Sequence, residues 1–252
     1  MNSHVNLSVN NEVGTIEFFH PQSNSLPENL LKKLTELIIE SGEREDIRVV
    51  ILKSGGDRAF CAGASFEELM AIKDVATGQE FFSGFANVIN AARKCPKFII
   101  GRIQGKAVGG GVGLVSATDY CFATQFASVK LSELSIGIGP FVVGPSIERK
   151  IGLSAFSQLT INATKWQTAQ WAKEKGLYSE IFDTVEAMDE AILILVEKLA
   201  SSSPESMRGI KEIMWVGTDH WDELLMERAE ISGKRILSDY TQQIIAQIKR
   251  EK

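Results

Sequence analysis

The stretch Gly105-Lys-Ala-Val-Gly-Gly-Gly-Val-Gly-Leu114 follows an apolar run and precedes residues able to open a helix. Gly109, Gly110 and Gly111 present backbone without Cβ atoms, so a ligand can approach the N–H groups there closely. A glycine turn between a strand and a helix is the repeating joint of an α/β fold, which places active groups on the loops after its strands. Further on, Glu133 stands in a stretch that is otherwise hydroxylic, aliphatic and glycine-rich, with Leu131, Leu134 and Ile136 around it. Neighbours of that kind desolvate a carboxylate, raise its pKa and make it a base near neutral pH. Exposed amide donors and one isolated carboxylate are the minimum for enolate chemistry.

Other readings of the turn fit less well. Gly111-Val-Gly113-Leu-Val-Ser116 matches a dinucleotide fingerprint only if serine replaces the last glycine, a crowded position where that is a poor fit. No Gly-Lys is followed by serine or threonine, which excludes a Walker A loop. Tight strand–helix packing is the structural alternative. A second amide-rich loop, Ala62-Gly63-Ala64-Ser65, leads into a helical pattern from Phe66, with Ser65 as its cap and orphan N–H groups at the helix start. The acids Glu67, Glu68 and Asp119 are assigned to solvation and capping.

Working outward, Val5–Val9 and Val13–Phe19 alternate as two strands joined by a hairpin turn at Asn10-Asn11. Ser25-Leu-Pro-Glu28 reads as a capping box for an amphipathic helix over 26–41, whose stripe is Leu30, Leu31, Leu34, Leu37 and Ile38. Ile47–Leu52, rich in β-branched residues and broken only by Arg48, is read as a buried strand. A helix over 79–94, a strand over Phe98–Ile103, and short strands over Asp119–Ala123 and Ser128–Leu131 follow. From about residue 142 the pattern is almost wholly helical, with helices expected over Ala187–Leu199, after Ser203-Pro204-Glu205, and over Trp221–Leu237. This divides the chain into a mixed core, 1–190, and a C-terminal helical region for packing or assembly, 191–252.

Hydrophobic content of 44% over 252 residues, with a formal charge of −5, describes a globular protein with no general electrostatic affinity for nucleic acid or an anionic membrane. Cys61, Cys95 and Cys121 form no C-x-x-C motif, and His4, His20 and His220 are too few and scattered for a metal centre. No secretory signal or membrane span is read, so a reduced cytoplasmic location is expected.

Several motifs in order resemble the crotonase superfamily, the enoyl-CoA hydratase/isomerase fold, over nearly the whole chain. His20-Pro-Gln-Ser-Asn-Ser-Leu26 is similar to the family's first loop. Arg58-Ala-Phe-Cys-Ala-Gly-Ala-Ser65 is similar to its acyl-CoA loop, with Ser65 where aspartate is common. Gly105–Leu114 with Asp119 matches the second loop, and Ser132-Glu-Leu-Ser-Ile-Gly-Ile-Gly-Pro140 the segment bearing the catalytic glutamate. Trp166–Leu177 and Glu227-Arg-Ala-Glu230 match later helices. The resemblance implies an α/β, crotonase-like spiral of ββα units with a C-terminal helical trimerisation region, assembled as a homotrimer or a dimer of trimers. It implies an acyl-CoA thioester as substrate, with coenzyme A entering as part of that substrate and no other cofactor or metal.

By position, the N–H groups of Ala64 and Gly110 would form an oxyanion hole and Glu133 would be the catalytic acid–base. Ser23, Ser25, Ala62, Ser65 and Phe66 would line the pantetheine and adenine path, and Arg58, with Lys249 or Arg250 of the basic tail, would reach CoA phosphates. One departure stands out. Where family hydratases carry a second glutamate, this chain has Gly113, expected to widen the pocket. Hydration uses both carboxylates, whereas double-bond migration runs on one base. The expectation is therefore an enoyl-CoA isomerase. The alternatives are a hydratase of enoyl-CoA or methylglutaconyl-CoA, a decarboxylase of such a thioester, a non-catalytic acyl-CoA-binding scaffold and, remotely, a nicotinamide oxidoreductase.

Overall fold

The computed structural model describes residues 2–250, with residues 249 and 250 by their backbone alone. Strands β1 (His4–Asn10) and β2 (Val13–Phe19) pair antiparallel from His4↔Phe19 to Asn10↔Val13. Their turn is Asn11-Glu12, one residue later than expected, with φ of 48° and 61°. Positive φ at both central residues matches the turn's twist to that of the strands.

Helix α1 (Glu28–Glu43) buries the expected stripe of Leu30, Leu31, Leu34, Leu37 and Ile38, each worth about 1.5–3 kcal/mol when fully removed from water. The capping box does not form. Ser25 Oγ lies 3.1 Å from His20 Nδ1, and the Glu28 N–H donates to Glu68 Oε2 at 2.8 Å. Glu68, assigned to solvation by its sequence context, thus serves the start of another helix.

The chain then moves back and forth between two sheets. β3 (Val49–Ser54) is followed by the short β4 (Ala59–Cys61) and helices α2 (Phe66–Ala71) and α3 (Val75–Lys94). β5 (Ile99–Ile103) is followed by β6 (Lys106–Val108) and α4 (Gly110–Ala117). β7 (Tyr120–Thr124) is followed by β8 (Val129–Lys130), a 3-10 turn over Glu133–Ile136 and α5 (Gly144–Ile161). Each unit contributes a long strand to a six-stranded sheet, β1-β2-β3-β5-β7-β9, and a short one to a three-stranded sheet, β4-β6-β8. Between these strands every pairing after the first hairpin is parallel. This is the expected spiral, and it brings the ends of β4, β6 and β8 side by side.

After α6 (Ala169–Glu174), β9 (Glu180–Phe182) closes the large sheet against β7, within a region read as almost wholly helical. A three-residue Glu-Ile-Phe strand is too short to show periodicity. Helices α7 (Val185–Ala200), α8 (Pro204–Met214), α9 (Trp221–Ile236) and α10 (Asp239–Arg250) complete the chain. α9 places Trp221, Leu225 and Ala229 in the main core together with Leu31, Ile89 and Val112. It lies so close to α3 that a Cβ on Gly78 would stand 2.7 Å from Gly233 Cα.

Asp119, expected to be solvated or capping, is buried in an ion pair with Lys211 of α8 at 2.8 Å. Among the described residues no helix is long and apolar enough to cross a membrane.

Candidate active site

Each of the three central glycines meets a separate requirement. Gly109 has φ 53° and ψ −120°, a conformation closed to side chains with a Cβ. A Cβ on Gly110 would stand 2.2 Å from the Phe85 ring, and one on Gly111 would stand 2.6 Å from Cys61 O. The turn thus packs against α3 on one side and the end of β4 on the other. Gly110→Ala is expected to destabilise the fold by about 1–3 kcal/mol through overpacking. Denaturant midpoints of Gly110→Ala and of Gly110→Ala with Phe85→Leu check this, because the smaller side chain should recover part of the loss.

The two amide loops come together. A Cβ built on Gly63 (φ 89°) would lie 3.0 Å from Val108 O and 3.5 Å from Gly110 N. On the first loop, Leu26 N–H donates to Gly63 O at 2.8 Å and Ser65 N–H to Leu26 O at 3.2 Å. The N–H of Ala64, between those bonded groups, has no acceptor among the described residues. Nor does the N–H of Gly110, the first of α4, which carries the positive end of the helix dipole.

Both amides line a cavity of about 190 Å³ whose walls include Ala62, Phe66, Phe85, Phe141, Val143 and Glu133. Glu133 is the only titratable side chain in that lining among the described residues. Its carboxylate lies over the glycine turn, so that a Cβ on Gly109 would stand 3.0 Å from Oε1. The residue as a whole is partly exposed, yet Oε2 is sealed from solvent and has no hydrogen-bond partner among the described residues. The surroundings of the carboxyl, rather than the residue average, set its acidity. Burial pushes its pKa up to about 7, with only its own backbone N–H acting the other way. A carboxyl poised near neutrality beside two unpaired N–H donors can move a proton while negative charge develops on a nearby oxygen.

The cavity therefore unites Ala62, Ala64, Phe66, Gly110 and Glu133. Ser23 is exposed, and its carbonyl accepts from Ala62 N–H at 3.1 Å. Ser25 is buried against His20, and Ser65 caps α2 by accepting from Glu68 N–H at 3.3 Å. Arg58 is exposed on the loop before β4, outside the lining, and the side chain of Lys249 lies outside the described residues.

Gly113 does not widen the pocket. A Cβ there would meet Val143 Cγ1 at 2.4 Å, so valine fills the space. Phe141 follows directly on the Ser132–Pro140 motif, and Pro140-Phe141 in place of a glycine-rich stretch is similar to the single-glutamate isomerases. Phe85 and Val143 were not legible as site residues, because they reach the cavity from α3 and from the start of α5.

The profile of the family Enoyl-CoA hydratase/isomerase matches residues 8–243. The mitochondrial Delta(3,5)-Delta(2,4)-dienoyl-CoA isomerase of Mus musculus is 28% identical over 209 residues, covering 78% of this chain and 63% of the mouse protein, less than two thirds of its length. The bacillaene synthase dehydratase PksH of Bacillus subtilis is 32% identical over 181 residues, covering 71% of this chain and 67% of PksH. The mitochondrial methylglutaconyl-CoA hydratase of Mus musculus is 31% identical over 192 residues, covering 75% of this chain and 60% of that protein. The crystal structure of enoyl-CoA hydratase from Bacillus halodurans superposes with a TM-score of 0.89 at 20% identity, covering 96% of this chain and 99% of the other.

Proposed function

The chain belongs to the enoyl-CoA hydratase/isomerase family, and from that premise we propose that it is an enoyl-CoA isomerase using Glu133 as its single proton shuttle. The observation that carries this reading is that, among the described residues, one carboxylate alone lines the cavity, together with two N–H groups that have no acceptor.

The chemistry balances with these groups. With the thioester oxygen held by Ala64 N–H and Gly110 N–H, the Glu133 carboxylate removes a proton from C2 of a 3-enoyl thioester. The C–H electron pair spreads over the thioester carbonyl and the C3–C4 double bond, giving a dienolate. The protonated Glu133 then returns the proton to C4, which leaves the 2-enoyl thioester. Preorganised donors hold the developing oxyanion in a water-poor site, where removal of one such donor typically costs about 10²–10³ in rate.

Two features weigh against the other reactions. Hydration requires a second group to activate and hold water, and Val143 fills the space beside Gly113. A carboxylated acyl group, as in methylglutaconyl-CoA, would place a second negative charge near Glu133 in a lining that holds no cationic side chain among the described residues. A neutral acyl chain suits these walls better.

The test is incubation of the purified protein with 3-enoyl-CoA and 2-enoyl-CoA esters, followed by product analysis. Interconversion of the two without 3-hydroxyacyl-CoA is the expected result. Robust hydration would replace the isomerase reading with the hydratase one, and binding without turnover would favour a scaffold.

A further inference from the structure

The Glu133 turn is held from outside the cavity by the C-terminal helix. Gly137, which ends the turn at φ 82°, donates its N–H to Leu134 O at 3.1 Å, and the next N–H, of Ile138, donates to Glu133 O at 3.0 Å. On its other side the Thr241 hydroxyl of α10 donates to Gly137 O at 3.2 Å. Thr241 is fully buried, and a Cβ on Gly137 would stand 2.3 Å from Thr241 Oγ1 and 2.8 Å from the Tyr240 ring. Ser238 fixes the start of the helix, its hydroxyl lying 3.0 Å from Thr241 Oγ1 and accepting from Thr241 N–H at 3.4 Å. One turn further along, Ile245 joins Ile138, Leu69, Ile72, Phe81 and Ile236 in a separate apolar cluster. That cluster ties α10 both to the Glu133 segment and to α2, the helix that follows Ala64.

We propose that Thr241 is a positioning residue for Glu133, and that α10 clamps the 3-10 turn so that its carboxylate stays seated over the glycine turn. The inference rests on Glu133 being the proton shuttle. The turn's own bonds, from Gly137 N–H to Leu134 O and from Ile138 N–H to Glu133 O, close it on itself. The Thr241 hydroxyl bond anchors that closed turn to α10, through the glycine that lets helix and turn meet. A proton shuttle displaced by about 1 Å loses on the order of 10²-fold in rate while thioester binding is preserved.

Thr241→Val, Thr241→Ser and Glu133→Gln are compared with the wild type as full chains, on a 3-enoyl-CoA ester across pH 5–9. Thr241→Val is expected to lower kcat by about 10- to 100-fold with KM within about twofold. Thr241→Ser, which keeps the hydroxyl, restores kcat. In Thr241→Val the acid limb of the pH–rate profile moves to lower pH, because a loosened turn lets water reach the carboxyl. Should the valine variant fail to fold by circular dichroism, Thr241→Ala removes the hydroxyl without adding a methyl group and is read the same way. Wild-type kcat and an unmoved acid limb in the hydroxyl-free variant, alongside an inactive Glu133→Gln, overturn the positioning role alone. Full activity in Glu133→Gln instead overturns the assignment of Glu133 on which it stands.

Discussion

Replacing Glu133 with glutamine is expected to reduce kcat/KM for a 3-enoyl-CoA ester by about 10²–10⁴-fold, the span associated with loss of a positioned acid–base group. Glutamine preserves the shape of the side chain and leaves the two N–H donors in place. Thioester binding should therefore survive, as equilibrium titration with a non-reactive acyl-CoA would show. Turnover within tenfold of wild type would remove Glu133 from the mechanism. In the wild type the activity should rise with pH through about 7, since the base acts in its ionised form and burial has raised its pKa to that value.

The same substitution should stabilise the protein above neutrality. The folded-state pKa of Glu133 lies above its ordinary value of 4.5. Between pH 4.5 and 7 the unfolded chain has released this proton while the native state keeps it, so this group's contribution to stability falls as pH rises. Below pH 4.5 both states hold the proton and nothing is lost. Above pH 7 the full cost of ionising a buried carboxyl is present, roughly 3 kcal/mol for a shift from 4.5 to about 7. Glutamine carries no charge at any pH. Denaturant midpoints at pH 5 and pH 8 should show an advantage for Glu133→Gln that grows towards the alkaline end. An advantage of equal size at both would mean that burial is not what shifts the group. A variant that loses activity and gains stability marks a site whose chemistry opposes folding.

The elements that carry this site were legible where sequence neighbours determine them. The helical spacing of Leu30, Leu31, Leu34, Leu37 and Ile38 fixes α1, and the glycine turn between β6 and α4 follows from three residues without side chains. Glu133 could be read as desolvated because Leu131 and Ile136 adjoin it in the chain. What escaped the sequence depends on partners far along it. Ser25 and Glu28 form a good capping box by spacing, but Glu68, supplied by α2, takes the Glu28 N–H. Gly113 reads as an opening until Val143 is seen against it. The Thr241–Gly137 bond joins residues separated by 104 positions, and no local pattern announces such a pair.

Lys211→Met is expected to cost about 3–5 kcal/mol of stability, the range for stranding one member of a buried ion pair. Lys211 and Asp119 have side chains only 3% exposed, with Nζ and Oδ2 2.8 Å apart. Asp119 also accepts from Ile99 N–H at 2.8 Å and from Trp215 Nε1–H at 3.1 Å, while Lys211 donates to Lys97 O at 2.7 Å. The pair thus fastens α8 to the start of β5 and to the residue that leads into β7. Methionine occupies much the same volume as the lysine stem, so the loss would come from the charge and not from a cavity. Asp119 would keep two neutral donors and lose its only cationic partner at ion-pair distance among the described residues. Lys211→Met combined with Asp119→Asn should recover a large part of the loss, since the amide oxygen still accepts from one of the two donors and no charge is buried. Denaturant midpoints of the four proteins at pH 7 close the cycle. Neither residue lines the Glu133 cavity, so turnover per folded molecule should be unchanged; a parallel loss of kcat would mean that the ion pair reaches the site through the sheet.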